Sequence, residues 1–227
     1  MNTIIVGNGE IGNSLRLILE EEYPVAIIDG SSDLFFCDNT YEIMHVAFPY
    51  SNKFIKEVQR YQKRFKPKYT VIHSTVPVGT SRKLKAIHSP AVGIHPHLEE
   101  SLKTFAKFLG GEKASEVAQY FRRAGMKVQL TDRPESTELM KICSTSFYGL
   151  CIEWNKEVKD MCDKNKVPFE LWSLWNSNYN NGYEKLGYPE YRRPILQAIK
   201  TKIKGHCVIN NLEFLQSKFK ELIKRGN

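Results

Sequence analysis

Short apolar runs alternate with stretches in which apolar residues recur every three or four positions. Asn2 to Val6 is a β-branched run that stops at glycines, and Ile11, Leu15, Ile18 and Leu19 then recur at helical spacing up to Glu22. The pattern predicts strand, glycine turn, helix. Val25 to Ile28 and Ile43 to Phe48 read as further strands, closed by Asp29-Gly30 and by Pro49. A helix over Asn52 to Phe65 comes next. Strands at Tyr69 to Ser74 and Ala91 to Ile94 then stop at the loops Thr75 to Thr80 and His95-Pro96-His97. A helix from about Lys113 to Arg123, closed by Gly125, leads to a strand over Lys127 to Leu130. Such alternation implies an α/β fold with a doubly wound, mostly parallel sheet that finishes near Thr131.

From Pro134 the strand period disappears. Glu135 to Cys162 reads as one long helix, with Pro134 suited to its first turn. The stretch Trp172 to Arg193 carries Trp175, Tyr179, Tyr183, Tyr188 and Tyr191 among asparagines and glycines, a composition suited to covering a pocket or a partner subunit. The expected division is a cofactor domain over 1–132 and a smaller, all-helical substrate and dimerisation domain over 133–227. A homodimer is expected, because a long helix with an aromatic return needs more burial than one small domain supplies.

The 227 residues are 41% hydrophobic and 26% charged, and no apolar run approaches the roughly 18 residues needed to span a bilayer. No secretory leader is expected, because Thr3 to Gly7 reads straight into a strand, and the five cysteines form no CxxC pair. A reducing, cytoplasmic setting without a metal site is expected. The net charge of +8 lies mostly on helix-like stretches such as Lys53 to Lys68, which read as a solvated face, and no nucleic-acid module accompanies it.

The first turn, Gly7-Asn8-Gly9-Glu10-Ile11-Gly12, has GxGxxG spacing between a strand and a helix, and Asp29 follows Gly12 by 17 residues at the next strand's end. In this Rossmann arrangement Gly7 makes the turn, Gly9 admits the pyrophosphate, Gly12 lets helix and strand pack, and Asp29 receives the adenosine ribose hydroxyls. A carboxylate there favours NAD over NADP. The loops at the other strand ends, with Phe48, Pro49, Ser74 and Thr75, fall beside the nicotinamide, although Ser74 or Thr75 would equally cap a turn and Ser51 a helix.

Oxidising an alcohol needs a base for the hydroxyl proton. His95 and His97 are one candidate pair; flanking a proline, they diverge, so at most one faces the cofactor. Lys141 is a second candidate, with an exposed i, i+3 ion pair to Glu138 as its alternative reading. Cys207, beside His206 and several cations, is a third, for covalent catalysis, with a buried structural thiol as its alternative. Arg192 and Arg193 are candidates for clamping a substrate carboxylate or phosphate.

The chain resembles the UDP-glucose/GDP-mannose dehydrogenase family, within the 6-phosphogluconate and 3-hydroxyacid dehydrogenase-like group. Ser74-Thr75-Val76-Pro77-Val78-Gly79-Thr80 is similar to that family's loop beside the cofactor, Phe108 to Gly111 to its Ile-Gly-Gly strand, and Glu138 to Lys141 to its Glu-Leu-x-Lys helix start. The resemblance implies a catalytic role for Lys141. Gly205-His206-Cys207-Val208 resembles the Gly-His-Cys-Ile of the N-acetylated sugar dehydrogenases, which implies a nucleophilic Cys207 and two hydride steps. The chain departs from the family at Thr145, where an asparagine is usual, and at His95-Pro96-His97-Leu98, which replaces Asn-Pro-Glu-Phe and resembles instead the Gly-x-His-Pro of prephenate dehydrogenases. The chain ends soon after Cys207, without the family's second Rossmann-like domain, so a UDP-sugar substrate is not implied. The expected function is an NAD-dependent dehydrogenase oxidising a hydroxyl of a small anionic substrate, such as a sugar derivative or hydroxy acid. Lys141, His95, Cys207 and Thr75 are its expected catalytic group, and His97, Thr145, Arg192 and Arg193 its substrate contacts. The alternative is a non-catalytic NAD-binding or sensing protein.

Overall fold

A computed structural model describes residues 1–30, 40–94, 96–197 and 206–225, without the side chains of 206, 207 and 225. The chain forms two compact units, Met1–Lys141 and Ile142–Asn227. The first unit holds a seven-stranded sheet: β1 (Thr3–Val6), β2 (Val25–Ile28), β3 (Ile43–Val46), β4 (Tyr69–Ile72), β5 (Ile87–His88), β6 (Lys107–Gly110) and β7 (Val128–Thr131). Their order in space is β2-β1-β3-β4-β5-β6-β7. Strands β1 to β5 are parallel, β6 pairs antiparallel with β5, and β7 is parallel to β6. The order reverses at β1, which has β2 on one side and β3 on the other. That reversal is where open α/β sheets leave a crevice beyond the strand ends.

Helices cover both faces, which is why β1, β3 and β4 are buried at every position and read as continuous apolar runs rather than alternations. One face packs against α1 (Glu10–Leu19), α4 (Leu98–Thr104) and α5 (Ala114–Arg123), through Ile5, Leu15, Val71, Leu109 and Phe121 among others. The other packs against α2 (Phe54–Phe65) and the segment from α3 (Thr80–Lys83) to Ala86, through Ile4, Met44, Phe54, Phe65 and Ile72. The expected strand over Ala91 to Ile94 does not form; β5 lies earlier, at Ile87–His88. His88 hid that strand from the apolar pattern. It is fully buried, with Nε2 donating to the Ser74 carbonyl at 3.2 Å and Nδ1 2.8 Å from Thr137 Oγ1, and burial lowers its pKa to about 4.

A polar string crosses the α5 face of the sheet. His73 Nδ1 lies 2.8 Å from the Ser89 carbonyl, which only accepts, so that nitrogen carries the proton. Its Nε2 must then accept from His45 Nδ1, 2.8 Å away, and His45 Nε2 in turn accepts from the Tyr120 hydroxyl at 3.1 Å. Thr3 Oγ1 lies 3.0 Å beyond. Lys107 ends the string on β6, 3% exposed, with Nζ 3.3 Å from His73 Nδ1 and 3.4 Å from the Ser89 carbonyl. Burial lowers the Lys107 pKa to about 7 and that of His45 to about 3, and holds His73 well below its ordinary value. The string is neutral at alkaline pH.

Among the described residues the second unit is helical: the greater part of α6 (Pro134–Lys164), then α7 (Glu170–Lys185), a 3-10 turn at Pro189–Tyr191, α8 (His206–Leu212) and α9 (Phe219–Arg225). A Cβ at Gly149 would lie 2.8 Å from Val208 Cγ1, so glycine there lets α8 sit close on α6. Val208, Leu212 and Ile223 form a small core. Asn180 clamps the backbone after the 3-10 turn, accepting from Arg193 N at 2.8 Å and donating to its carbonyl at 2.9 Å.

Candidate functional site

The loop between β1 and α1 is shaped by three glycines with three different constraints. Gly7 has φ +108°, and a Cβ there would lie 2.8 Å from the Ala47 carbonyl carbon. At Gly12 a Cβ would lie 1.8 Å from the Gly7 oxygen, so nothing larger fits where helix meets strand. Gly9 is different: no atom lies within 4 Å of its Cβ position. It is the N-cap of α1 and supplies no side-chain cap. The N–H groups of the first turn, at Glu10, Ile11 and Gly12, therefore point out of the helix toward the space that Gly9 leaves open. Asn8, Gly9 and Glu10 are exposed and Ile11 is half-buried.

Asp29 is exposed directly after β2. Gly7 N donates to the Ile28 carbonyl at 2.8 Å, which sets Asp29 beside the glycine loop. A cradle of backbone donors with an acidic group alongside fits a pyrophosphate and its adjoining ribose.

The next two strand ends are tied together. Ser74 Oγ donates to the Phe48 carbonyl at 2.5 Å, so its hydroxyl joins the loop after β4 to the Phe48-Pro49 loop after β3. Pro49 is exposed, and Phe48 and Thr75 are half-buried. Ser51 Oγ accepts from Lys53 N at 3.2 Å ahead of α2, a turn-capping role.

Glu138 is the residue the sequence reading undervalued. It is fully buried, and its carboxylate accepts from Gly79 N at 2.6 Å and from Ser81 N at 2.8 Å. Burial lifts its pKa, against the pull of those N–H groups. The alternative reading of Lys141, an exposed ion pair with Glu138, does not fit this burial: Glu138 caps α3 and anchors the Thr75 to Thr80 loop to the first turns of α6. Lys141, one turn on and half-buried, donates from Nζ to the Ala91 carbonyl at 2.8 Å. Loop and lysine are set by one helix.

His97 is exposed at the N-cap position of α4, where its carbonyl accepts from Ser101 N and Oγ at 3.1 and 2.6 Å. His95 lies outside the described residues. Cys207 falls within α8, and its side chain is likewise outside them. In the second unit the Thr145 hydroxyl donates to the Ile142 carbonyl at 3.1 Å. Arg192 Nη1 is 3.5 Å from Glu184 Oε2, and the Arg193 guanidinium stacks 3.4 Å from the centroid of the Tyr179 ring. Both arginines therefore have intramolecular partners. Among the described residues no group of three or more His, Cys, Asp or Glu is placed to hold a metal ion, and no helix is long and apolar enough to cross a membrane.

No family model and no curated protein matches the sequence. Solved structures do match the fold. The chain is similar to a UDP-D-ManNAc dehydrogenase from Pyrococcus horikoshii, at 14% identity and TM-score 0.73 over 100% of this chain and 68% of that one. It is similar to a UDP-N-acetyl-mannosamine dehydrogenase from Staphylococcus aureus, at 13% identity and TM-score 0.74 over 100% and 67%. A 3-hydroxyisobutyrate dehydrogenase from Mycobacterium tuberculosis matches at 12% identity and TM-score 0.71, over 99% of this chain and 92% of that one. The chain thus has a Rossmann fold followed by a helical region, in the arrangement shared by nucleotide-sugar and 3-hydroxyacid dehydrogenases.

Proposed function

We propose that the protein is an NAD-dependent dehydrogenase that oxidises a hydroxyl group of a small anionic substrate, such as a sugar derivative or a hydroxy acid. The observation that carries this reading is the open cradle at Gly9, with the α1 N-terminus on one side and Asp29 on the other. Gly7, Gly9 and Gly12 shape the pyrophosphate loop, Asn8, Glu10 and Ile11 complete it, and Asp29 accepts from the ribose hydroxyls. Phe48, Pro49, Ser74 and Thr75 border the nicotinamide, which when bound takes up the hydride.

As the hydride leaves the substrate carbon, the hydroxyl proton must pass to a base. Lys141 is that base in this reading, held by the Ala91 carbonyl and placed by the Glu138 anchor beneath it. His95 is the second acid–base candidate, and Cys207 is the candidate for a covalent two-step oxidation. His97, Thr145, Arg192 and Arg193 are substrate-contact candidates, of which the arginines would have to leave Glu184 and Tyr179. The protein is proposed to act in the cytoplasm as a homodimer.

One observation favours a second reading, a non-catalytic NAD-binding or sensing protein. Thr145 turns its hydroxyl onto its own helix backbone, at the position where the resembled family carries an asparagine. Purified protein titrated with NADH and then assayed against hydroxy acids and sugar acids separates the two. Binding with turnover that Lys141→Met abolishes, while NADH affinity stays within about twofold, supports the dehydrogenase. Binding without turnover supports the sensor, and absence of binding rejects both.

A further inference from the structure

Beyond Asp29, the end of β2 meets a side chain from another element. Tyr61 on α2 donates its hydroxyl to the Gly30 carbonyl at 3.4 Å, and its ring lies 6.2 Å from the Phe48 ring, centroid to centroid. Tyr61 thus stands between the loop after β3 and the end of β2, where Asp29 is placed to take the adenosine ribose. Arg60 follows it to this place. Its guanidinium carbon is 5.1 Å from the centroid of the Tyr61 ring, and Nη2 lies 3.5 Å from the Tyr61 hydroxyl. Arg60 is exposed and, among the described residues, rests on Tyr61.

We infer that Arg60 is a cofactor-specificity residue that receives the 2′-phosphate of NADP, so that the site admits NADP(H) as well as NAD(H). The inference rests on the dinucleotide reading above. In NADP a phosphate replaces the 2′-hydroxyl that Asp29 would accept from in NAD, so its charge would fall beside the end of β2, where the Asp29 carboxylate alone would repel it. Arg60 reaches the same place through Tyr61 and supplies the opposite charge, with a planar set of donors that matches phosphate oxygens. Tyr61 orders the guanidinium by a cation–π approach to its ring and by the contact of Nη2 with its hydroxyl, and the remaining donors face the phosphate in this reading.

The test is a fluorescence titration of the whole protein with NADPH and with NADH, for wild type, Arg60→Ala and Arg60→Lys. Wild type is expected to bind both. Arg60→Ala should weaken NADPH about tenfold and NADH less than about twofold, with Arg60→Lys between wild type and alanine for NADPH. Because Arg60 is exposed, thermal unfolding midpoints should coincide, which separates loss of contact from loss of fold. The inference is overturned if wild type binds NADH but not NADPH, or if Arg60→Ala shifts both cofactors by the same factor or neither. Failure of wild type to bind either dinucleotide instead overturns the underlying reading, and this inference with it.

Discussion

At Gly9, room for a ligand and room for a side chain are the same space, whereas at Gly12 the space is already filled by the chain itself. The two positions should therefore respond oppositely to alanine. Gly12→Ala drives a methyl group into the Gly7 carbonyl, 1.8 Å away, and Gly7→Ala combines a 2.8 Å approach to Ala47 with φ +108°. Each is expected to cost more than about 2 kcal/mol and to lower the unfolding midpoint. Gly9→Ala meets no atom, so its midpoint should move little while NADH affinity falls at least about tenfold. Equal loss of stability in all three variants would reject a ligand-binding role for this loop. The GxGxxG spacing and the separate task of each glycine were legible in the sequence, but the atoms each Cβ would meet, Ala47 for Gly7 and the Gly7 carbonyl for Gly12, were not. The place of Arg60 was illegible because its nearness to Gly30 runs through its helix neighbour Tyr61, whose hydroxyl reaches across to the end of β2.

At the level of elements, β6 and the start of α6 carry buried ionisable side chains that an apolar pattern passes over. The run Lys107 to Gly110 buries its lysine and exposes Phe108, the reverse of the expected polarity, and only the family-like Gly110-Gly111 ending marks it as a strand. Strand β5 was similarly hidden by His88, whereas β1 to β4 lie within two residues of the expected positions because most of their buried residues are apolar, and β7 lies one residue from its expected start after the Gly125 stop. The buried lysine has a measurable signature. Its folded pKa of about 7 lies below the ordinary lysine value of 10.5, so between those values the unfolded chain holds a proton that the folded chain does not. Stability should rise with pH across that window, by at most about 1.4 kcal/mol per unit from this group, and be lost as pH falls toward 7. Lys107→Met removes the term. Urea unfolding at pH 7.5 and 9.5 should show wild type clearly more stable at the higher pH and the variant nearly indifferent; identical pH responses would refute the burial of a neutral amine. His45, His73 and His88 work in the same direction at lower pH, holding protons in the unfolded but not the folded chain below about 6.5. Glu138 gives the complementary test at α6. Glu138→Ala leaves the Gly79 and Ser81 N–H groups without their acceptor and should cost about 1–3 kcal/mol. If the anchor also places Lys141, Glu138→Gln, which keeps an acceptor oxygen, should recover part of the turnover along with part of the stability.

For the molecule as a whole, the two units differ in how much of their apolar surface they bury. The first closes two extensive cores, one on each face of its sheet, while the second has its described core in Val208, Leu212 and Ile223 and the side chains against them. It also exposes large apolar groups on α6 and α7, among them Phe147, Trp154, Leu174 at 65% and Trp175 at 69%. Exposed aliphatic and aromatic side chains in such density are unusual on a surface that stays in water. The aromatic crowding of Trp172 to Arg193 was legible in the sequence, but the part of it that stays exposed was not: Asn176 and Asn180 are buried on α7 while Trp175 is exposed, an inversion of the polarity that hydropathy assigns. The proposed homodimer accounts for that inversion if a second copy covers this surface, because a dyad interface meets itself and needs no other partner chemistry. Sedimentation equilibrium of the wild-type chain should then give twice the chain mass. Replacing Leu174 and Trp175 together by glutamate sets like charges against each other across the dyad and should yield monomers with an intact helical circular dichroism spectrum. A wild-type chain that sediments as a monomer would remove the second copy as the covering partner. Dimeric wild type with an equally dimeric double variant would leave the homodimer standing and move its interface away from α7.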